Sequence, residues 1–237
     1  MIMLKKELIL QNPLRFLENE TGDILLEGGF GAVLARAGVG KTAILVQLAL
    51  NTILKGKNVL HISLDDPVKK LTLWYKEVFN HLTKQYESIE TNPIWEAILP
   101  RRFIMTFRVE GFSTSKLEER LTDLIEQNIF SPQVVIIDGF NFKEDVRTSL
   151  SDLKRLAKKH SLYVWFSVKT HRHEEPGPDG MPAQILEVVD LFDLVIQLQP
   201  KGKEIHIKTL KGATADSDQR TLLLDPATML VRDSESF

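Results

Sequence analysis

Ala35-Arg36-Ala37-Gly38-Val39-Gly40-Lys41-Thr42 decides how the rest of this chain is read. The octet fits the phosphate-loop pattern of a glycine, four free positions and Gly-Lys-Ser/Thr, except that Ala35 stands where the first glycine belongs. Ala32-Val33-Leu34 before it reads as a short buried strand, and Lys41 to Leu54 after it carries the apolar spacing of a helix. In such a loop, inward backbone N–H groups form an anion nest, and Gly38 and Gly40 let the backbone approach phosphate oxygens with no Cβ in the way. Lys41 supplies a point charge to the β and γ phosphates, Thr42 offers its hydroxyl to Mg²⁺, and the start of the Lys41 helix adds a favourable dipole. Ala37, Gly38, Val39, Gly40, Lys41, Thr42 and Ala43 are therefore expected to hold a nucleotide. A glycine turn that merely precedes a lysine would leave the flanking strand and helix unexplained. Ala35 is no obstacle, because the glycines matter most where the loop wraps the phosphates.

Working outward, the chain alternates strands and helices. Asn58 to Leu64 reads as a second buried strand, and Asp66-Pro67 opens a long amphipathic helix carrying Val68, Leu71, Trp74, Tyr75, Val78 and Leu82. Trp74, Tyr75 and Phe79 are read as core packing of that helix. Phe103 to Phe107 is a strand, and Ser115 with Glu118 suggests a capping box for the helix that follows. Val134 to Ile137 is a fully apolar strand ending in Asp138. A helix over roughly Val146 to Lys159 and a strand from Leu162 to Val168 complete a run of βα units, which implies a mostly parallel sheet with helices on both faces. From Asp193 onward, Leu194 to Leu198, Glu204 to Leu210 and Thr221 to Leu224 have no helices between them, so they are expected to add an antiparallel edge. The fold class is thus α/β. Residues 1–27 read as a lead-in and 28–237 as one domain.

Composition bounds the function. Hydrophobic residues are 43% and charged residues 26% of 237, a globular balance that excludes a mainly disordered chain. The absence of cysteine excludes disulfides, a thiolate nucleophile and Cys-based metal sites. Thirty Lys and Arg against 32 Asp and Glu give a net charge of -2, so no global positive field advertises nucleic acid or anionic membrane. Met1-Ile-Met-Leu-Lys-Lys-Glu puts its charges after a very short apolar run, the reverse of a secretory signal, and no apolar stretch is long enough to span a bilayer. The expected location is cytoplasmic.

Asp138, at the end of an apolar strand, stands where a carboxylate must sit to hold the water shell of a magnesium ion opposite Thr42. Taken alone it would pass for an aspartate starting a turn at Gly139. The upstream phosphate loop favours the metal reading.

From Gly28 to about Leu224 the sequence resembles the RecA-like P-loop ATPase superfamily, in particular its KaiC and replicative DnaB-type helicase branch. The motifs that carry the likeness run in order. They are Gly28-Gly29, the Ala35-Arg36 loop with its Gly-Lys-Thr ending, Ile62-Ser-Leu-Asp-Asp-Pro67, Glu187-Val-Val-Asp190 before a strand, and Thr209-Leu-Lys211-Gly212. The resemblance implies ATP and Mg as ligands and a homo-oligomer, commonly a hexameric ring with ATP between subunits. It also implies a lysine at Lys211 that reaches a neighbour's nucleotide, where the plain alternative is an ordinary surface lysine. Two departures stand out. That branch usually has a glutamate after Ser-Leu to polarise the attacking water, and this chain has Asp65 and Asp66; the usual arginine two residues after Lys211 is replaced by Ala213.

The candidate catalytic residues are therefore Asp65, Asp66 and Lys211. Asp66 precedes Pro67 at a helix start and is better placed as an N-cap. Asp65, at the carboxyl end of a strand beside the loop, is the better base, with an end-of-strand structural role as its alternative. An aspartate is roughly 1.5 Å shorter than a glutamate, so slow hydrolysis is expected. Lys169, at the end of the next strand, is a weak candidate γ-phosphate sensor. His171, His173, Glu174 and Glu175 lack metal-ligand spacing, and the loop to Pro182 corresponds in position to loops that touch DNA or a partner. The expected function is a Mg-dependent, slow ATPase acting as an oligomeric regulator or motor on a protein partner. A nucleotide-gated switch with negligible hydrolysis and a DNA-handling ATPase are the alternatives, nucleic acid being the less favoured partner and a membrane excluded.

Overall fold

The computed structural model describes residues 2–18, 22–86, 90–107, 112–142, 146–171, 177, 180–212 and 221–234. Its centre is a nine-stranded sheet: β1 (Phe30–Ala35), β2 (Val59–Ser63), β3 (Arg102–Thr106), β4 (Val134–Asp138), β5 (Tyr163–Lys169), β6 (Leu194–Lys201), β7 (Glu204–Lys211), β8 (Leu222–Leu224) and β9 (Val231–Asp233). The spatial order is β3-β2-β4-β5-β1-β6-β7-β8-β9. The first six strands in that order run parallel and the last three continue as an antiparallel meander. The α/β class and the antiparallel carboxyl-terminal edge are as the sequence predicts.

Period-two side-chain alternation splits the core into two layers. Phe30, Ala32, Leu34, Leu60, Ile62, Ile137, Phe166 and Val168 point to the face covered by α5 (Thr114–Glu126) and α6 (Val146–Lys159). Val33, Val59, Ile136, Trp165 and Ile196 face α2 (Lys41–Leu54) and α3 (Val68–Thr83). Gly31 is glycine because Trp165 fills its side-chain position: a Cβ there would stand 2.6 Å from the indole.

Sequence periodicity misses several short elements. Ile2–Leu10 is helix α1, whereas the short helix that the sequence allows after Asn12-Pro13 is present as the 3-10 turn Pro13–Leu17, N-capped by Asn12. Leu4, Leu8, Leu14 and Leu17 bury against the α2 layer. The short helices α4 (Asn92–Ile98) and α7 (Ala183–Leu186) and strand β9 were likewise unforeseen. Two capping expectations are corrected. Ser113, not Ser115, caps α5, accepting from the Lys116 N–H at 3.3 Å. Asp66 is not the N-cap of α3; Pro67 is, with no side-chain cap bond, and the Asp66 carboxylate turns to Lys70 instead.

Candidate nucleotide site

Parallel strands deliver their exits to one edge, so β1, β2, β4 and β5 bring the phosphate loop, Asp65, Asp138 and Lys169 together at the carboxyl end of the sheet. The loop 36–40 joins β1 to α2. Gly38 (φ +77°) and Gly40 (φ +112°) adopt the left-handed conformations that make the turn tight. Gly40 is also pressed by the tail: a Cβ on it would meet Leu224 at 2.6 Å. The first N–H groups of α2, including those of Thr42 and Ala43, have no partner within their own helix and face the loop.

Lys41 Nζ folds back to donate to the Ala35 and Arg36 carbonyls, both at 3.1 Å. Burial pulls the Lys41 ammonium below its ordinary pKa; Asp138 opposes that, Lys169 adds to it, and Asp65 opposes it. The ammonium therefore feels both acids and the second lysine. Thr42 Oγ1 donates to Asp138 Oδ2 at 2.8 Å. Residues 96 apart in sequence thus share one hydrogen bond because β1 and β4 flank β5.

Asp138 sits between two serines. Ser63 is its register partner on β2, and Ser167 lies next to it on β5, one residue past the Ile137–Phe166 pair. Ser167 Oγ accepts from the Gly139 N–H at 2.8 Å and also hydrogen-bonds the Asp138 carboxylate. Burial pushes the Asp138 carboxyl above its usual pKa, while the Ser167 and Thr42 hydrogen bonds and Lys41 hold it down. Ser63 Oγ accepts from the Asp66 N–H at 2.9 Å, fixing the turn that carries Asp65. Neither serine was assigned a part from sequence. The available signal was small: a hydroxyl at the end of a buried strand, beside or just ahead of an acid.

The other expected residues divide. Asp65 is exposed and stands over Gly139, within the electrostatic reach of Lys41 and Asp138. Asp66 is half-buried and ion-paired to Lys70 at 2.8 Å. Lys169 ends β5, exposed, on the loop side. Lys211 is not brought to the loop of its own chain: it pairs with Val195 at the start of β6, toward the opposite end of the sheet, and Nζ donates to the Val189 carbonyl at 2.8 Å. His171 is exposed. His173, Glu174, Glu175 and Ala213 lie outside the described residues. Among the described residues no three His, Asp or Glu side chains cluster closely enough to hold a metal by themselves.

Residues 9–165, well over half of the chain, match the family model described as AAA domain. The chain belongs to that family. An AAA domain of this kind is a P-loop ATPase unit of the RecA/DnaB-like group, so the protein is of the ATP-binding ATPase class. The matched stretch takes in the phosphate loop, Asp65, Asp66 and Asp138, while Ser167, Lys169 and Lys211 lie beyond it. No curated protein matches the sequence. No helix among the described residues of this AAA domain protein is long and apolar enough to cross a membrane.

Proposed function

We propose that this AAA domain binds Mg·ATP between the phosphate loop and the carboxyl end of β4 and hydrolyses it slowly, as an oligomeric regulator or motor acting on a protein partner. The observation that carries the reading is the 2.8 Å contact between Thr42 Oγ1 and Asp138 Oδ2 beside the Lys41 ammonium. A hydroxyl and a carboxylate are the hard oxygen donors Mg²⁺ takes alongside phosphate, so the residues fit the ion. Thr42 would hold it directly and Asp138 through its water shell. The ion supplies charge neutralisation for the β and γ oxygens.

The chain's own residues do the rest. Backbone N–H groups from Ala37 to Ala43 wrap the β phosphate, and Lys41 exchanges its two carbonyl partners for phosphate oxygens. Asp65 orients the attacking water and takes its proton. Lys169 faces the γ end of the same mouth. Because Lys211 lies away from its own loop, its contribution would be to a neighbouring copy, in keeping with the likeness to the KaiC and DnaB branch. The exposure and short reach of Asp65 favour a second reading, a nucleotide-gated switch with negligible turnover. A DNA-handling role has less support, given a net charge of -2.

Steady-state phosphate release separates the first two readings. Lys41→Ala should lower turnover about 100-fold or more, since it removes a preorganised cation from the transferred group; parental binding and turnover in that variant would place the site elsewhere. Assembly is tested by mixing Lys41→Ala with Lys211→Ala subunits. Activity above the sum of the two supports a lysine acting across the boundary, and mixtures that never exceed the sum leave Lys211 a structural residue.

A further inference from the structure

The Asp65 carboxylate rests against Gly139, the residue that follows β4. A Cβ built on Gly139 would stand 2.8 Å from Asp65 Oδ2, 2.9 Å from Cγ and 3.3 Å from Oδ1. The first two separations are shorter than real Cβ contacts allow, so any side chain there displaces the carboxylate. Gly139 is itself pinned: its N–H donates to Ser167 Oγ at 2.8 Å, and the Ser167 hydroxyl hydrogen, left free by that bond, is directed at Asp138. The two strand exits are also tied directly, by Leu64 N–H to the Asp138 carbonyl at 2.9 Å, and the Asp65-Asp66 turn is held by Ser63.

We propose that Gly139 and Ser167 are positioning residues that seat the Asp65 carboxylate at the mouth of the phosphate loop. The inference rests on the reading of Asp65 as the base for the attacking water. A short acid cannot search for its water by stretching, so its place is set by what it rests on, and a displacement of about 1 Å at a reacting group costs on the order of 100-fold in rate. The plain alternative is a turn glycine required only by its φ of +90°. Such a glycine would act on stability without regard to residue 65.

The discriminating experiment is a double-mutant cycle in the full chain, read by single-turnover hydrolysis of Mg·ATP and by affinity for a non-hydrolysable ATP analogue. Gly139→Ala and Ser167→Ala are each made in the parent and in Asp65→Asn. Ser167→Ala reaches the same turn without adding bulk, so the cycle stays measurable if Gly139→Ala fails to fold. Gly139→Ala should lower the hydrolysis rate by about 100-fold with analogue affinity within about threefold of the parent, and Ser167→Ala, which also takes a hydrogen bond from Asp138, should lower the rate when it is read at saturating Mg²⁺. Neither should lower it further in Asp65→Asn. Ser167→Thr, which keeps the hydroxyl, should recover most of what Ser167→Ala loses. Equal losses in both backgrounds, or a loss confined to affinity, overturn the seat while leaving the ATPase reading intact. A parent that binds ATP and releases no phosphate overturns both.

Discussion

β2 and β4 lie side by side, leave the sheet at the same end and each carry an acid toward the phosphate loop, yet the two acids are held in opposite ways. Asp138 is wedged between the Thr42 and Ser167 hydroxyls and largely out of water. Asp65, one strand over, is exposed and rests against a bare glycine. An acid that organises a cation's water shell gains from fixed oxygens, because the ion tolerates little error in geometry. An acid that handles a water molecule needs solvent at hand, and its orientation comes from packing. The difference in burial and hydrogen bonding is in keeping with the separate work proposed for the two carboxylates, a metal shell for Asp138 and a water for Asp65.

The comparison breaks most visibly at Asp138. Asp138→Asn keeps the shape and removes the charge, so the Mg²⁺ concentration for half-maximal nucleotide binding should rise about 10- to 100-fold. An unchanged magnesium titration would take Asp138 out of the site. Asp65→Asn should do the reverse, leaving the titration alone and lowering turnover by about 100-fold, the lower range for a lost general base. Its neighbour makes the control: an exposed i, i+4 ion pair is worth little, so Asp66→Asn should keep parental turnover. A fall in Asp66→Asn equal to that in Asp65→Asn would erase the distinction between the two residues.

A smaller effect separates the interiors of the same two strands. β4 is apolar up to its acid, whereas β2 buries His61 completely, with Nδ1 at 2.9 Å from the Tyr75 hydroxyl. Burial, with Arg102 nearby, pulls the imidazole down from 6.5 to about 3. The unfolded chain therefore takes up a proton near pH 6.5 that the folded chain refuses until far lower pH. Stability from this group is full above that value and drains as pH falls toward 3, by roughly 2 kcal/mol at pH 5. Thermal unfolding of His61→Gln should show a flatter acid slope than the parent over this window; matching slopes would put the acid lability elsewhere.

Much of this was legible in advance, for identifiable reasons. The phosphate loop, α2 and β4 were read to within a residue because glycine, lysine and unbroken apolar runs are local signals. Asp138 stands at the end of β4, where the apolar run puts it. What escaped depends on tertiary contact. Helix α1 lacks a polar stripe, so its period is blurred, and β9 is only three residues long. The Asp66 cap was misassigned because its carboxylate found Lys70, one helical turn on. Ser63 and Ser167 matter only through sheet register, which places them on either side of Asp138 and which no local pattern encodes.

The antiparallel tail bears on how the protein is made. Gln47, buried in the second turn of α2, donates to the Met229 carbonyl at 2.7 Å and accepts from the Val231 N–H at 2.8 Å, while Leu224 presses on Gly40. These contacts join residues more than 180 positions apart. The helix that follows the phosphate loop is thus braced by a segment made more than 180 residues later, and synthesis proceeds at about 5–20 residues per second. During those seconds a nascent chain carries the entire nucleotide-binding motif but not its brace. Loop closures of this span are also the slow ones to form. Competence to bind nucleotide should accordingly arrive late and all at once, giving the cell little half-built ATPase to trap ATP or aggregate around.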